Sequence, residues 1–436
     1  MEHTVNKNIE KFVPYLERPT GKWYLWMGVL FVIFLMGVYV LINQIVEGQV
    51  ITGMRDYVFW GIYKVNFVIF LGFSYAGTLI GAGIHFFKIR WGHPISRLAE
   101  FINIIFLIIG PFFILFCMGR LDRLHYLFIY PRIQSPITWD VIAVVTDLIF
   151  GLVYIFITFI KDFARLRDME NLKIANWRKK IYRIFAFNYH DTPEQQKLLR
   201  QATNILGAIL IPISIIAYSL LAWIFGMTIR PVWHSSIFAP LFVLTAAYSG
   251  IAMLIVVAFF YRKIYKLEDY ITPKHFSNLG YVLLYLGLFY AYFTFSQYFT
   301  DWYNISKASQ ALYSKLFTFS EYGFMFWSAI GMSIIIPLIV TGIPKLHSIK
   351  SITLVSGLII VGTWVKQYLL VVPTLETPFL PIQDPMQEWV KYTATLKEWV
   401  LIIAGFAAIL MLFSIVSKLV PAIPFECTCE EEKNNH

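Results

Sequence analysis

The chain has 436 residues, of which 58% are hydrophobic and only 14% charged. A soluble domain of ordinary composition carries roughly 25% charged residues, so too few polar side chains are present to cover a soluble surface of this size. The formal charge of +10 is spread through connections between apolar blocks, which excludes a nucleic-acid-binding surface as its explanation.

Crossing about 30 Å of hydrocarbon takes about 20 apolar residues in a helix. In lipid the backbone must satisfy its own polar groups, which leaves helices or closed barrels. The apolar blocks are continuous, without the alternation of a barrel strand, so the sequence predicts an all-α integral membrane protein with about ten spans. In chain order these fall near 24–46, 58–87, 98–118, 138–160, 202–226, 236–261, 278–299, 322–343, 351–372 and 399–420. The first lies some 23 residues in and lacks a small-residue cleavage site, so it is expected to be a span and not a cleaved leader. The second is long enough to tilt or to project from the membrane.

Lys and Arg are divided unevenly between the two sets of connections. The N-terminus, the even-numbered connections and the C-tail hold 25, the odd-numbered connections hold 9, and Lys64 and Lys366 lie within spans. By the positive-inside rule both termini (1–23 and 421–436) are expected in the cytoplasm, in an inner membrane, with the odd-numbered connections outside. The connection from Lys161 to Arg200 is the most basic and is placed against the cytoplasmic leaflet.

Three cysteines, Cys117, Cys427 and Cys429, are too few for an iron–sulfur cluster held by four thiolates. His85 and His234 sit near opposite ends of their spans, so they cannot share a haem. No metal site, haem or cluster is expected in this chain.

Charges inside the bilayer are costly and mark either function or a paired structural contact. Lys64 and Asn66 fall in the outer third of the second span, and Lys366 and Gln367 in the outer third of the ninth. Asp140 and Asp147, seven residues apart, share one face of the fourth. For Lys64, snorkelling to the outer interface is the competing reading; for Asp147, a paired structural carboxylate. The most informative stretch is GRLDRLHYLFIYPRIQSPITWD, residues 119–140. It gathers Arg120, Arg123, His125, Tyr126, Tyr130, Arg132, Trp139 and Asp140. Aromatic rings, donors and one carboxylate suit a quinone head group, whose two oxygens gain or lose protons as electrons move. An interfacial aromatic belt with snorkelling arginines remains the alternative at this point.

At these residues the chain resembles the NrfD/PsrC family of polysulfide-reductase membrane subunits, and is most similar to the ten-helix members of alternative complex III and related quinone reductases. The resemblance is carried by YAGTLIGA (75–82), RLAE (97–100), GR (119–120), SPITWD (135–140), WHSSIFAP (233–240), YSGIAM (248–253), KLEDYITPKH (266–275), FTDWY (299–303) and the Pro-rich stretch VVPTLETPFLP (371–381). It implies two four-helix bundles with a peripheral helix at each end. The first helix and the quinone-binding bundle occupy 24–226, the second bundle 227–372, an outer loop 373–398 and the last helix 399–420.

It further implies that menaquinone or ubiquinone binds non-covalently near the outer face, that an extracytoplasmic iron–sulfur subunit docks there, and that molybdopterin-type or multihaem cytochrome subunits complete the complex. Asp140 matches the family's site aspartate and becomes the candidate catalytic residue. Arg120 matches the arginine of the family's motif, and Tyr75, His125, Cys117, Tyr130, Trp139 and Lys64 complete the quinone-binding candidates. Asp147, His85, His234 and Lys366 are the proton-path candidates. Cys117 and Tyr75 stand where the family has histidines, Gln297 where it has a glutamate, and Lys366-Gln367 where it has a Glu-Arg pair. A passive membrane anchor and a secondary transporter are the rival functions.

Overall fold

Once a run of apolar residues enters lipid, the helix is the structure that satisfies every N–H and C=O locally. The computed structural model describes residues 16, 19–169, 174–228, 230–303, 306–319, 321–377 and 391–425, and among them it has helices and no strand. Ten helices are long and apolar enough to cross a membrane. They are α1 (Gly21–Glu47), α2 (Gly61–Phe86), α3 (His93–Phe116), α4 (Pro136–Asp168), α5 (Pro193–Gly226), α6 (Phe238–Ile264), α7 (Pro273–Tyr303), α8 (Gly323–Gly342), α9 (Ile349–Leu375) and α10 (Leu396–Leu419). The chain is therefore an all-α integral membrane protein. Cys427 and Cys429, the segment 1–15 and most of the loop after α9 lie outside the described residues.

Each span expected from the sequence is present, but several helices continue past the apolar block. Helix α4 runs to Asp168 and α5 begins at Pro193, on the side expected to be cytoplasmic. Polar residues extend a helix there at no desolvation cost, so hydropathy does not mark its end. The same side carries a separate helix, Asn176–Phe185. Helix α8 is interrupted by a π-helical turn, Gly331–Ile335.

Helix α2 is the centre of the molecule, with almost every side chain buried. It packs against α3, α5, α6 and α9. Helices α2, α3, α4 and α5 close one group through the α2–α3, α3–α4, α4–α5 and α2–α5 contacts; α6–α9 close a second, and α10 lies against α1 and α3. Close approach rests on small residues, as is usual between helices in lipid. A Cβ at Gly77 would come within 2.6 Å of Ala99 O on α3, and one at Gly250 within 2.0 Å of Ala76 Cβ.

At the end that holds the N-terminus of α2, two buried carboxylates tie the chain ahead of α10 to both groups. Glu376 accepts from Tyr322 Oη at 2.8 Å and from the Tyr392 amide at 2.7 Å. Glu398 accepts from Tyr392 Oη at 2.7 Å and from the Gly53 amide at 2.9 Å. Burial pushes the Glu376 carboxyl above its ordinary range, against the pull of these donors.

Candidate functional site

Helices α2 and α4 enter the membrane from the same end, so equal distances from their N-termini place residues at equal depth. Lys64 is the fourth residue of α2 and Asp140 the fifth of α4. They form one tier, the outer one in the orientation expected from the charge division, and lie close enough to interact electrostatically. Tyr75 and Asp147 lie deeper, three turns and two turns further along, and form a second tier, again within electrostatic reach of each other.

In the outer tier Lys64 is 2% exposed, so it does not snorkel. Its ammonium sits over the rings of Phe67 at 4.5 Å, Trp60 at 5.0 Å and Phe225 at 5.3 Å. Such contacts offset part of the cost of burying a cation. Cys117, half-buried at the end of α3, lies beside Lys64 and directs its thiol to the Phe113 carbonyl at 3.5 Å. Asp140 is itself half-buried.

In the inner tier Asp147 Oδ1 accepts from Ser214 Oγ of α5 at 3.3 Å, while Oδ2 is buried with no hydrogen-bond partner among the described residues. The Tyr75 and Tyr218 rings meet edge to face at 5.6 Å, and Tyr218 Oη donates to the Val68 carbonyl at 3.1 Å. An orphaned carboxylate oxygen within electrostatic reach of a buried phenol is a site with acceptor capacity to spare.

A third tier lies at the opposite end of the same helices. Arg97 of α3 pairs with Asp162 of α4 at 2.6 Å and approaches Glu100 at 3.6 Å. His85 Nε2 lies 3.7 Å from Glu100, and Arg97 covers the Phe159 ring at 4.0 Å. Between the inner tier and this one, Ser74 Oγ donates to Asn103 Oδ1 at 3.0 Å. The sequence signal for this tier was thin. Arg97 falls at a span boundary, where a basic residue is ordinary, and Asp162 lies past the end of the apolar block. The block RLAE (97–100), one of those that carry the family resemblance, was the available clue to Arg97 and Glu100. Ser214 and Tyr218 carried no signal beyond being polar groups within α5.

The remaining candidates are placed elsewhere. Arg120 is exposed and pairs with Asp122 at 3.3 Å; this guanidinium holds the Asp122 carboxyl below its ordinary range. His125 stacks edge to face on Tyr126 at 4.4 Å, and Tyr130 is exposed. These three sit on the connection between α3 and α4. Trp139 Nε1 donates to the Ile133 carbonyl and fixes that connection to the head of α4. His234 bonds the Gly226 carbonyl at 3.0 Å at the C-terminal end of α5. Lys366, in the second group, donates to Thr294 Oγ1 at 2.7 Å and lies over the Tyr290 ring at 4.4 Å. No group of three or more metal-ligating side chains occurs among the described residues.

Ten spans around a first group of helices holding stacked ionisable tiers define a polytopic membrane protein with an intramembrane polar site. The chain belongs to the NrfD family, described as polysulphide reductase, NrfD, whose family model matches residues 50–378. It is 24% identical over 415 residues to a selenate reductase subunit of Mesobacillus selenatarsenatis, covering 91% of this chain and 94% of that one. It is 23% identical over 430 residues to the menaquinone reductase integral membrane subunit of Nitratidesulfovibrio vulgaris, covering 93% of each. A third relative, the Hdr-like menaquinol oxidoreductase integral membrane subunit of Archaeoglobus fulgidus, is 20% identical over 86% of this chain and 87% of its own. The chain is a membrane subunit of a reductase complex of this family, consistent with quinone-linked electron transfer.

Proposed function

We propose that this chain binds quinol or quinone near its outer face, with the head group beside Asp140, and exchanges electrons with an extracytoplasmic iron–sulfur subunit. The observation that carries the reading is the outer tier. A fully buried cation, walled by three rings, faces a half-buried carboxylate at the depth where a lipid-soluble ring can approach an outer partner. The orphaned Asp147 Oδ2 one tier below adds spare acceptor capacity. Two relatives are named for menaquinone or menaquinol, which favours menaquinone over ubiquinone as the substrate here.

The bound quinone supplies the two-electron, two-proton couple. Asp140 takes protons from the quinol hydroxyls, one at a time, and passes them to the outer aqueous phase. In the reverse direction it donates them. Lys64 holds negative charge on the oxygen as the proton leaves, and the aromatic wall excludes water from that oxygen. Asp147 accepts a proton inward, Tyr75 offers its hydroxyl as a hydrogen-bond donor to the quinone, and Asn103, Glu100 and His85 continue the polar column toward the far side. Coupling to proton movement is part of the proposal through these residues, with Lys366 as the ionisable group of the second half. Molybdopterin-type or multihaem subunits stand beyond the iron–sulfur partner, as in a respiratory complex.

The passive-anchor reading keeps one observation in its favour: Arg120 and His125 are exposed, and Arg120 is paired with Asp122. Asp140→Asn separates the two. The side chain is nearly isosteric, so assembly and bound quinone are expected to be retained. Quinol turnover is expected to fall by the roughly 10²–10⁴-fold ascribed to a positioned acid or base. Unchanged turnover with quinone retained removes Asp140 from the mechanism and favours the anchor.

A further inference from the structure

The connection 161–200 holds ten of the 36 Lys and Arg residues, and the quinone chemistry uses none of them. Within it the helix Asn176–Phe185 divides into three sectors, because successive residues advance by about 100°. One sector faces the protein. Arg178 donates to the carbonyls of Leu16, at 2.6 Å, and Lys418, while Tyr182 donates to the Leu419 carbonyl at 2.9 Å. The helix is thereby clamped to the end of α10.

The second sector is apolar and open. Trp177, Ile181 and Ile184 fall together, with Trp177 57% and Ile184 67% exposed. This sector is continuous with the lipid-facing surface of α4: the Phe156 ring meets Phe185 at 6.2 Å and Phe187 at 6.0 Å. Phe187 is 73% exposed and is held at φ 47°. That backbone conformation is costly for an aromatic residue, yet it keeps the ring on the same open face. The third sector carries Lys179, Lys180 and Arg183, all exposed. A protein-facing side, an apolar side level with the transmembrane surface and a basic side turned away from both are what a helix lying in a membrane interface needs.

We propose that the helix Asn176–Phe185 lies in the interface of the leaflet opposite the quinone site and binds anionic phospholipid head groups through Lys179, Lys180 and Arg183. Trp177 and Ile184 reach into the acyl boundary. Charge complementarity fixes the occupant: a cluster of cations beside an apolar sector at lipid depth matches a phosphate above acyl chains.

The test uses the full-length chain in nanodiscs of phosphatidylcholine, alone or mixed with phosphatidylglycerol. With the native cysteines replaced by serine, a nitroxide at position 184 is expected to collide with oxygen in preference to a water-soluble nickel chelate. A nitroxide at position 179 is expected to show the reverse. Lipid retained after detergent extraction is weighed by mass spectrometry. The K179Q/K180Q/R183Q chain is expected to lose its preference for phosphatidylglycerol by about ten-fold or more, since each basic residue near an anionic surface contributes appreciably. Arg178 is left in place, so the clamp to α10 is untouched. Equal nickel access at 184 and 179, shielding of 184 from both probes by a protein surface, or an unchanged lipid preference in the triple variant overturns the proposal.

Discussion

Arg97 shows how one residue can be prominent in structure and faint in sequence. In the chain it looks like a basic residue flanking a span. In the fold it is buried in α3 with its guanidinium on Asp162 at 2.6 Å and near Glu100. Removing one member of a buried ion pair leaves the other uncompensated, which typically costs about 3–5 kcal/mol. Arg97→Leu removes the guanidinium that Asp162 and Glu100 both face and is expected to lower thermal stability of the detergent-solubilised chain by that order. Arg97→Leu/Asp162→Leu removes the carboxylate that loses its guanidinium and is expected to recover part of it. Thermal unfolding of the two variants checks this; a single variant as stable as the parent shows that the pair is dispensable. Lys64 is the converse case. The sequence placed it at the right depth and could not say whether it snorkelled, because that depends on the Trp60, Phe67 and Phe225 rings around it. Asp140 and Asp147 were legible from intramembrane position and spacing alone. Lys64 and Tyr75 on α2 were named beside them only through the family resemblance, and Ser214 and Tyr218 on α5 were not named, since nothing in one sequence says which helices are neighbours.

Among elements, α2 is the one on which the rest depends, and glycine sets how closely its neighbours approach. Gly250 of α6 packs on Ala76 so closely that even a methyl group would overlap it, at 2.0 Å. Gly357 of α9 has nothing within 4 Å of the corresponding position. Gly250→Leu is therefore expected to force α6 from α2 and destabilise by about 1–3 kcal/mol or more, the usual range for overpacking. Gly357→Leu is expected to be neutral or mildly stabilising, because leucine is the better helix former. Comparing the unfolding midpoints of the two variants in one lipid composition checks the assignment; equal effects would mean that a leucine at any helical glycine is penalised alike. The ten spans were legible because lipid demands long apolar helices. The ends of α4 and α5 were not, and neither was the helix Asn176–Phe185, because polar helix outside the hydrocarbon leaves no hydropathy signal. The π-turn Gly331–Ile335 also leaves none.

At the scale of the whole molecule, the ten spans among the described residues put the start of α1 and the end of α10 on one side, and the proposed chemistry turns on which side that is. The charge division of 25 against 9 argues for termini in the cytoplasm. The fold shows where some of those 25 charges sit. The end holding Asn176–Phe185 presents the exposed Lys179, Lys180 and Arg183, suited to an anionic leaflet. At the other end Glu376 and Glu398 hold Tyr392. The Lys64–Asp140 tier lies under that second end. Orientation therefore decides whether quinone chemistry faces outward, and the functional proposal depends on it. A cysteine placed at Gln134, in a chain whose three native cysteines are serine, is expected to react in intact cells with a membrane-impermeant maleimide. One placed at Lys179 is expected to react only after the cells are opened. Labelling at 179 from outside, with protection at 134, would reverse the topology. It would then place the Asp140 tier on the cytoplasmic side, and the iron–sulfur partner would have to dock there.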